Sequence, residues 1–298
     1  MWSRRRFLVT SAAAAVTPLH STTRNPPLID SHVHVWKHDP AFPFAPGANP
    51  PTGDASVEQL LALMHANSVA RTVLIQVIHY KWDNRYLARV LKRYPRTFQG
   101  VCRVNPQDPA APNQLSRLTE VGGFHGVRLS PSASPSDDWI CGPLMPPLWR
   151  RCAALKVPMT LLTPVTRLPD IEPLIQQNPD LTIVIDHMAD CPLHQPDKLQ
   201  LLLALARYPR VFVKISHLWS LSAEPYPYPD TIPQIKSLVE AFTAARLMWG
   251  TDWPISLKQS SYANIVALYR DHLNFLSAQD RKQILYETVQ RVWPFGVS

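Results

Sequence analysis

Leu28-Ile29-Asp30-Ser31-His32-Val33-His34-Val35 reads as a β-strand carrying two histidines. Its aliphatic residues supply strand propensity, and alternate residues of a strand share a face, so His32 and His34 project to the same side. Two imidazoles held side by side at a strand end can bind a divalent metal or grip an oxyanion. A His-x-His pair is also readily a packed structural pair. What gives this one meaning is the pattern that follows it.

Downstream, short β-rich runs alternate with longer amphipathic stretches. Leu28–Val35, Thr72–Ile78, Phe98–Val104, Gly126–Leu129, Val157–Leu162, Leu181–Ile185, Val211–Ile215 and Arg246–Gly250 read as strands. Between them lie helical patterns. One opens at the capping-box sequence Ser56-Val57-Glu58-Gln59; others run Asn84–Tyr94, Gln114–Val121, Leu148–Lys156, Ile171–Gln177, Asp197–Tyr208 and Thr231–Ala245. Tyr94-Pro95, Asn178-Pro179 and Tyr208-Pro209 each stop a helix just before a strand, because proline disfavours the α conformation in the residue before it. Eight strands with intervening helices over about 250 residues predict an α/β fold, a (β/α)8 TIM barrel in a single domain. A doubly wound open sheet lacks support, since no glycine-rich phosphate loop is present. The proline-rich stretch Trp36–Gly53 is expected to fold over the barrel mouth, and Ser277–Val292 to form a terminal helix on the outside.

Composition sets the outer bounds. Of 298 residues, 46% are hydrophobic and 17% charged, which reads as a packed globular chain, with 31 prolines expected in loops and strand entrances. The net charge is +8, but Arg4, Arg5 and Arg6 supply three of those charges and no basic run interleaves with aromatics, so nucleic-acid binding has little support. Ser3-Arg4-Arg5-Arg6-Phe7-Leu8 and the alanine-rich stretch to Val16 resemble a twin-arginine export signal, with Val9 where that pattern has lysine. Residues 1–24 are thus expected to be a signal peptide, 25–298 the barrel, the translocase a transient partner, and the destination the periplasm or medium. The apolar stretch falls well short of the ~20 residues a permanent span needs. Cys102, Cys141, Cys152 and Cys191 contain no C-x-x-C and read as four structural thiols; Cys141 and Cys191, both in loop-like sequence, are the pair that could join.

In such a barrel, polar residues at the carboxyl ends of strands converge on one pocket. The eight ends carry, in order, His32 and His34; Gln76 and His79; Arg103 and Asn105; Arg128 and Ser130; Thr160 and Thr163; Asp186-His187; Lys214, Ser216 and His217; and Thr251-Asp252-Trp253-Pro254. Histidines, cations and carboxylates recur there, while strand interiors are apolar.

The blocks Ile29–Trp36, Gly126–Leu129, Val184–Met188, Phe212–Ser216 and Trp249–Pro254 resemble the amidohydrolase superfamily, and within it the branch of 2-pyrone-4,6-dicarboxylate lactonase and L-fuconolactonase. The resemblance spans nearly all of residues 28–293, and Gly250-Thr251-Asp252-Trp253-Pro254 is its most specific part. It implies hydrolysis of a small anionic or polyhydroxy lactone, with Asp252 activating water and His187 polarising the carbonyl or shuttling a proton. Arg128 would hold a substrate carboxylate or carbonyl oxygen, helped by Arg103 or His217, while His79 and Lys214 line the site and Trp253 shapes its wall. The plainer readings are an N-capping Asp252, a wall histidine at 187 and a simple Lys214–Asp186 ion pair. His32, His34 and Asp252 could ligate one divalent metal such as zinc. The histidine that many superfamily members carry at strand five is replaced here by Thr160 and Thr163, and the branch includes metal-independent lactonases. Both states stay open. Rival readings are a metal-dependent decarboxylase or amide hydrolase on the same barrel, and a catalytically inactive periplasmic binding protein.

Overall fold

The computed structural model describes residues 27–130 and 140–296, so the twin-arginine segment and most of the loop after strand four lie outside the described residues. Eight parallel strands run β1 Leu28–Val33, β2 Val69–Ile75, β3 Phe98–Val101, β4 Val127–Leu129, β5 Met159–Leu161, β6 Ile183–Ile185, β7 Val211–Lys214 and β8 Leu247–Met248. They form ladders β1-β2-β3 and β4-β5-β6-β7-β8. Single parallel bridges, Cys102 to Val127 and Val33 to Trp253, join the two ladders at both seams and close the ring. This is the (β/α)8 barrel that the alternation predicted.

Every strand overlaps an expected one: β2 lies three residues earlier than Thr72–Ile78, and the others are trimmed at their ends, since only backbone paired on a neighbour extends the ladder. The outer layer comprises α1 Val57–Ala66, α2 Arg85–Arg93, α3 Ala111–Glu120, α4 Met145–Leu155, α5 Leu168–Gln177 and α6 Pro196–Leu203. After β7 come a short α7 Leu218–Leu221 and α8 Ile232–Phe242; α9 Tyr262–Ala267 follows β8. The C-terminal stretch forms α10 Ala278–Lys282 and α11 Thr288–Val292, joined through a π-helical turn. Ser56 and Gln59 make the expected capping box on α1. Proline plays a wider part than expected: besides ending helices it occupies the first turn of α3, α4, α5, α6 and α8, where its missing N–H would have had no partner.

Side-chain alternation separates two apolar layers. Val73, Ile75, Val101, Val184, Phe212 and Met248 fill the barrel interior together with Ile29, and Val289, Val292, Trp293 and Phe295 close its floor. The intervening strand residues, such as Leu74, Val127, Leu129, Ile183, Ile185, Val213 and Leu247, face the helices. β1 departs from strict alternation. Asp30 pairs with Thr72 and Val33 with Leu74, so β1 spends one extra residue over that interval. This bulge flips the parity, which lets Ile29 lie in the barrel while Val33 and Val35 pack outward. His32 and His34 are thereby turned inward. All four cysteines are free, with Cys141 exposed and the other three buried.

Candidate active site

At the carboxyl end of β1, the Nε2 atoms of His32 and His34 stand 3.3 Å apart. The Asp252 carboxylate faces both, its Oδ1 lying 3.6 Å from His32 Nε2 and 3.5 Å from His34 Nε2. His217 Nε2 approaches the other oxygen at 3.5 Å. His187 completes the cluster, its ring centroid 4.5 Å from that of His32 and 4.6 Å from that of His217, while its Nδ1 meets Ser216 Oγ at 2.9 Å. Residues from opposite ends of the chain therefore meet across the ring, as the strand-end reading requires.

Local backbone aims these groups. Beyond their strands, His187, His217 and Asp252 all adopt left-handed φ values of 51°, 68° and 54°. Such residues turn the chain sharply off the strand axis at a conformational cost. Asp30 braces the seam. Its carboxylate accepts hydrogen bonds from Thr251 Oγ1 (2.6 Å), Thr251 N (3.0 Å) and His32 N (3.1 Å), tying β1 to the residue before Asp252. Burial raises its pKa from 3.8 to about 6 against those hydrogen bonds. The sequence reading gave Asp30 no role, although an acid inside an apolar strand was a signal that it would need partners.

Beneath the histidines lies a buried ionic core. Arg128 Nε donates to Asp186 Oδ2 at 2.8 Å, and Lys214 Nζ stands 3.1 Å from Asp186 Oδ1 and 3.0 Å from His32 Nδ1. Burial pushes the Asp186 carboxyl up, but Lys214, His32 and Arg128 outweigh it and hold it well below the usual range. Lys214, expected to line the site, is instead fully buried with its ammonium over the Trp293 ring of the barrel floor. The plain Lys214–Asp186 ion pair is what forms. Burial lowers His32 far below 6.5 and His187 to about 4, so both imidazoles are neutral near pH 7.

Arg103 has a different setting. It is buried, donates from Nη1 to Ser130 Oγ at 3.0 Å, and its Nε has no hydrogen-bond partner among the described residues. Its guanidinium lies 5.7 Å above the Trp82 ring, beside a cavity of about 60 Å³ that Trp82, Asn105, Arg128 and Ser130 also line. Burial lowers its pKa from 12.5 to about 9, which leaves it cationic at neutral pH. His79 sits outside the cluster, in the turn after β2 and edge-on to Trp36 at 5.9 Å, where the Trp36–Gly53 segment lies against that turn. Trp253 is buried in the β8–β1 seam, its carbonyl accepting from His34 N at 2.8 Å.

The donor spacing suits a small dication. Tetrahedral zinc with ligands at 2.0–2.1 Å has edges of about 3.4 Å, and the His32, His34 and Asp252 atoms are separated by 3.3, 3.5 and 3.6 Å. His187 also belongs to this group, since ligand atoms of His32, His187 and Asp252 all lie within 4.8 Å of one another.

The comparisons agree with this architecture. The chain is 31% identical over 239 residues to an L-fucono-1,5-lactonase from Burkholderia ambifaria, covering 76% of this chain and 80% of that protein. It is 28% identical to a 2-pyrone-4,6-dicarboxylate hydrolase from Comamonas testosteroni, covering 76% of each. Among solved structures, a zinc-bound amidohydrolase from Burkholderia multivorans superposes with a TM-score of 0.73 at 22% identity, covering 90% of this chain and 99% of that one. The amidohydrolase family model matches residues 29–295. With that match spanning the whole barrel, the chain belongs to the amidohydrolase family.

Proposed function

We propose that this protein hydrolyses a small lactone bearing an anionic group, with Asp252 as general base. The observation that carries the reading is a buried carboxylate ringed by imidazoles at the mouth of the barrel. Its similarity to lactone hydrolases supports the same class. Burial raises the Asp252 carboxyl, but its contacts with the His34, His187 and His32 imidazoles outweigh burial and hold it well below 3.8. Near pH 7 His32 and His187 are neutral, so their share of that lowering is withdrawn. What remains is a carboxylate that is ionised at neutral pH and stands among imidazoles at the barrel mouth, where it can accept a proton as water attacks.

Water held at Asp252 attacks the ring carbonyl carbon and gives its proton to the carboxylate. The resulting oxyanion is stabilised by imidazole N–H groups of the cluster, with His187 as the principal one. The tetrahedral centre then collapses, the ring C–O bond breaks, and the proton on Asp252 passes to the departing oxygen. The product is a hydroxy acid.

The substrate's acid group is assigned to Arg103. Arg128 already spends its Nε on Asp186, whereas Arg103 is a buried cation with no acidic partner among the described residues. An uncompensated buried charge is costly, and a ligand carboxylate would relieve it. This favours a lactone acid over a neutral sugar lactone. Asp252→Asn is expected to lower turnover by about 10²–10⁴-fold on a lactone panel followed by acid release, with unchanged folding. Substantial residual hydrolysis by that variant would remove Asp252 from the mechanism.

The arginine pair Arg4-Arg5 and the Phe7-Leu8 that follows support export by the twin-arginine route. Replacing both Arg4 and Arg5 by lysine should leave the protein in the cytoplasmic fraction; unchanged periplasmic recovery would refute the route.

A further inference from the structure

The direction of every hydrogen bond between Lys214 and Ile75 can be assigned from its two ends. An ammonium only donates, so His32 Nδ1, 3.0 Å from Lys214 Nζ, is the accepting nitrogen and His32 carries its proton on Nε2. A backbone carbonyl only accepts, so His34 Nδ1, 2.8 Å from the Ile75 oxygen, carries the proton and His34 Nε2 keeps a lone pair. The two Nε2 atoms, 3.3 Å apart, are then one donor and one acceptor. The chain then runs Lys214 to His32 to His34 to Ile75.

This direction has a chemical consequence at the spot where the donor triangle suits zinc. His32 Nε2, one corner of that triangle, is capped by a proton and has no lone pair to offer. The spacing fits a dication, but the protonation pattern does not. For His32 to become a ligand its proton must move to Nδ1 and be received there by an acceptor. Asp186 Oδ1 is in place at 3.3 Å from Nδ1. Lys214, 3.1 Å from that oxygen, sits between the two arrangements and also places a positive charge next to the triangle.

We propose that Lys214 is a positioning residue that holds His32 in the Nε2–H tautomer and so keeps this centre from taking up a divalent metal. Fully buried, its ammonium stands between the Trp293 ring of the barrel floor and His32 Nδ1. With the ammonium removed, the His32 proton resides on Nδ1 and is hydrogen-bonded to Asp186 Oδ1, His32 Nε2 is freed, and the three-atom site forms. The inference rests on the buried network alone and is independent of which ester the protein opens.

Lys214→Met preserves most of the stem and removes the donor and the charge. Zinc affinity, measured by competition with a chromophoric chelator on metal-stripped protein, should rise by roughly 10–100-fold over the native chain, the scale on which the partner of a ligating histidine alters metal affinity. Metal analysis after dialysis should find near-stoichiometric zinc in the variant and little in the native protein. A folded variant with native zinc affinity would overturn the proposal. Should the variant not fold, the native protein still decides. Long-range ¹H–¹⁵N correlation spectra should show His32 protonated at Nε2 and His34 at Nδ1. A His32 protonated at Nδ1, or native protein that retains zinc through dialysis against a chelator, would refute it.

Discussion

At the scale of single residues, the site depends on which charges are already spent. Asp186 is shared between Arg128 and Lys214, and the imidazoles converge on Asp252, which leaves Arg103 as the buried cation facing a cavity without an acidic partner among the described residues. Arg103→Met is therefore expected to raise KM for carboxylated lactones by about 10–100-fold, the worth of a hydrogen-bonded charge contact, while KM for neutral lactones changes little. Steady-state kinetics on a matched pair of substrates checks this, and equal effects on both would show that Arg103 does not read the anion. The residue types were legible in advance, because histidines, arginines and aspartates stood out at the ends of apolar strands. Their division of labour was not. Whether Arg128 or Arg103 is free depends on Asp186, 58 positions from Arg128, and such pairings follow from the closed ring rather than from local sequence.

At the scale of elements, the barrel was legible because each helix-to-strand passage carries a local signal, and Tyr94-Pro95 and Asn178-Pro179 fall where α2 and α5 end. The bulge in β1 was not legible. Strict alternation would put Ile29 on the face opposite His32, and only pairing with β2 shows the extra residue that brings both inward. The closeness of β8 to β1 has a comparable cause. A Cβ on Gly250 would lie 2.8 Å from His32 Cβ and 3.1 Å from His32 N, so this glycine is needed for two backbones to approach. Gly250→Ala should cost roughly 1–3 kcal/mol by crowding and lower kcat by displacing His32. Thermal unfolding and kinetics together test this; a variant with native values for both would show that the seam relaxes without consequence.

At the scale of the whole molecule, the buried titratable groups set how stability responds to acid. Burial holds His187 near a pKa of about 4 and lowers His32 well below 6.5. As pH falls from 6.5 towards 4, the unfolded chain binds protons at both positions that the folded chain refuses, so stability declines. For His187 alone the loss is on the order of 3 kcal/mol. Asp30, raised from 3.8 to about 6, acts in the opposite sense: its contribution is fully present below pH 3.8 and is lost as pH rises through 6. Two histidines against one acid leave a net acid sensitivity. The melting temperature should drop between pH 7 and pH 4.5, and His187→Asn should flatten that drop. A native profile without slope in this window would mean that these imidazoles are not kept neutral by burial.

The left-handed backbone at His187, His217 and Asp252 bears on how the mouth of the barrel is to be dissected. Alanine placed there would remove a functional group and also install a residue that resists the local twist by ~1–2 kcal/mol, so a weakened enzyme could reflect either loss. Asparagine tolerates that twist and resembles both aspartate and histidine in size and polarity. Replacing each of the three in turn by asparagine separates chemistry from scaffold, and the gap between the asparagine and alanine variants at one position measures what the chain spends to aim that side chain.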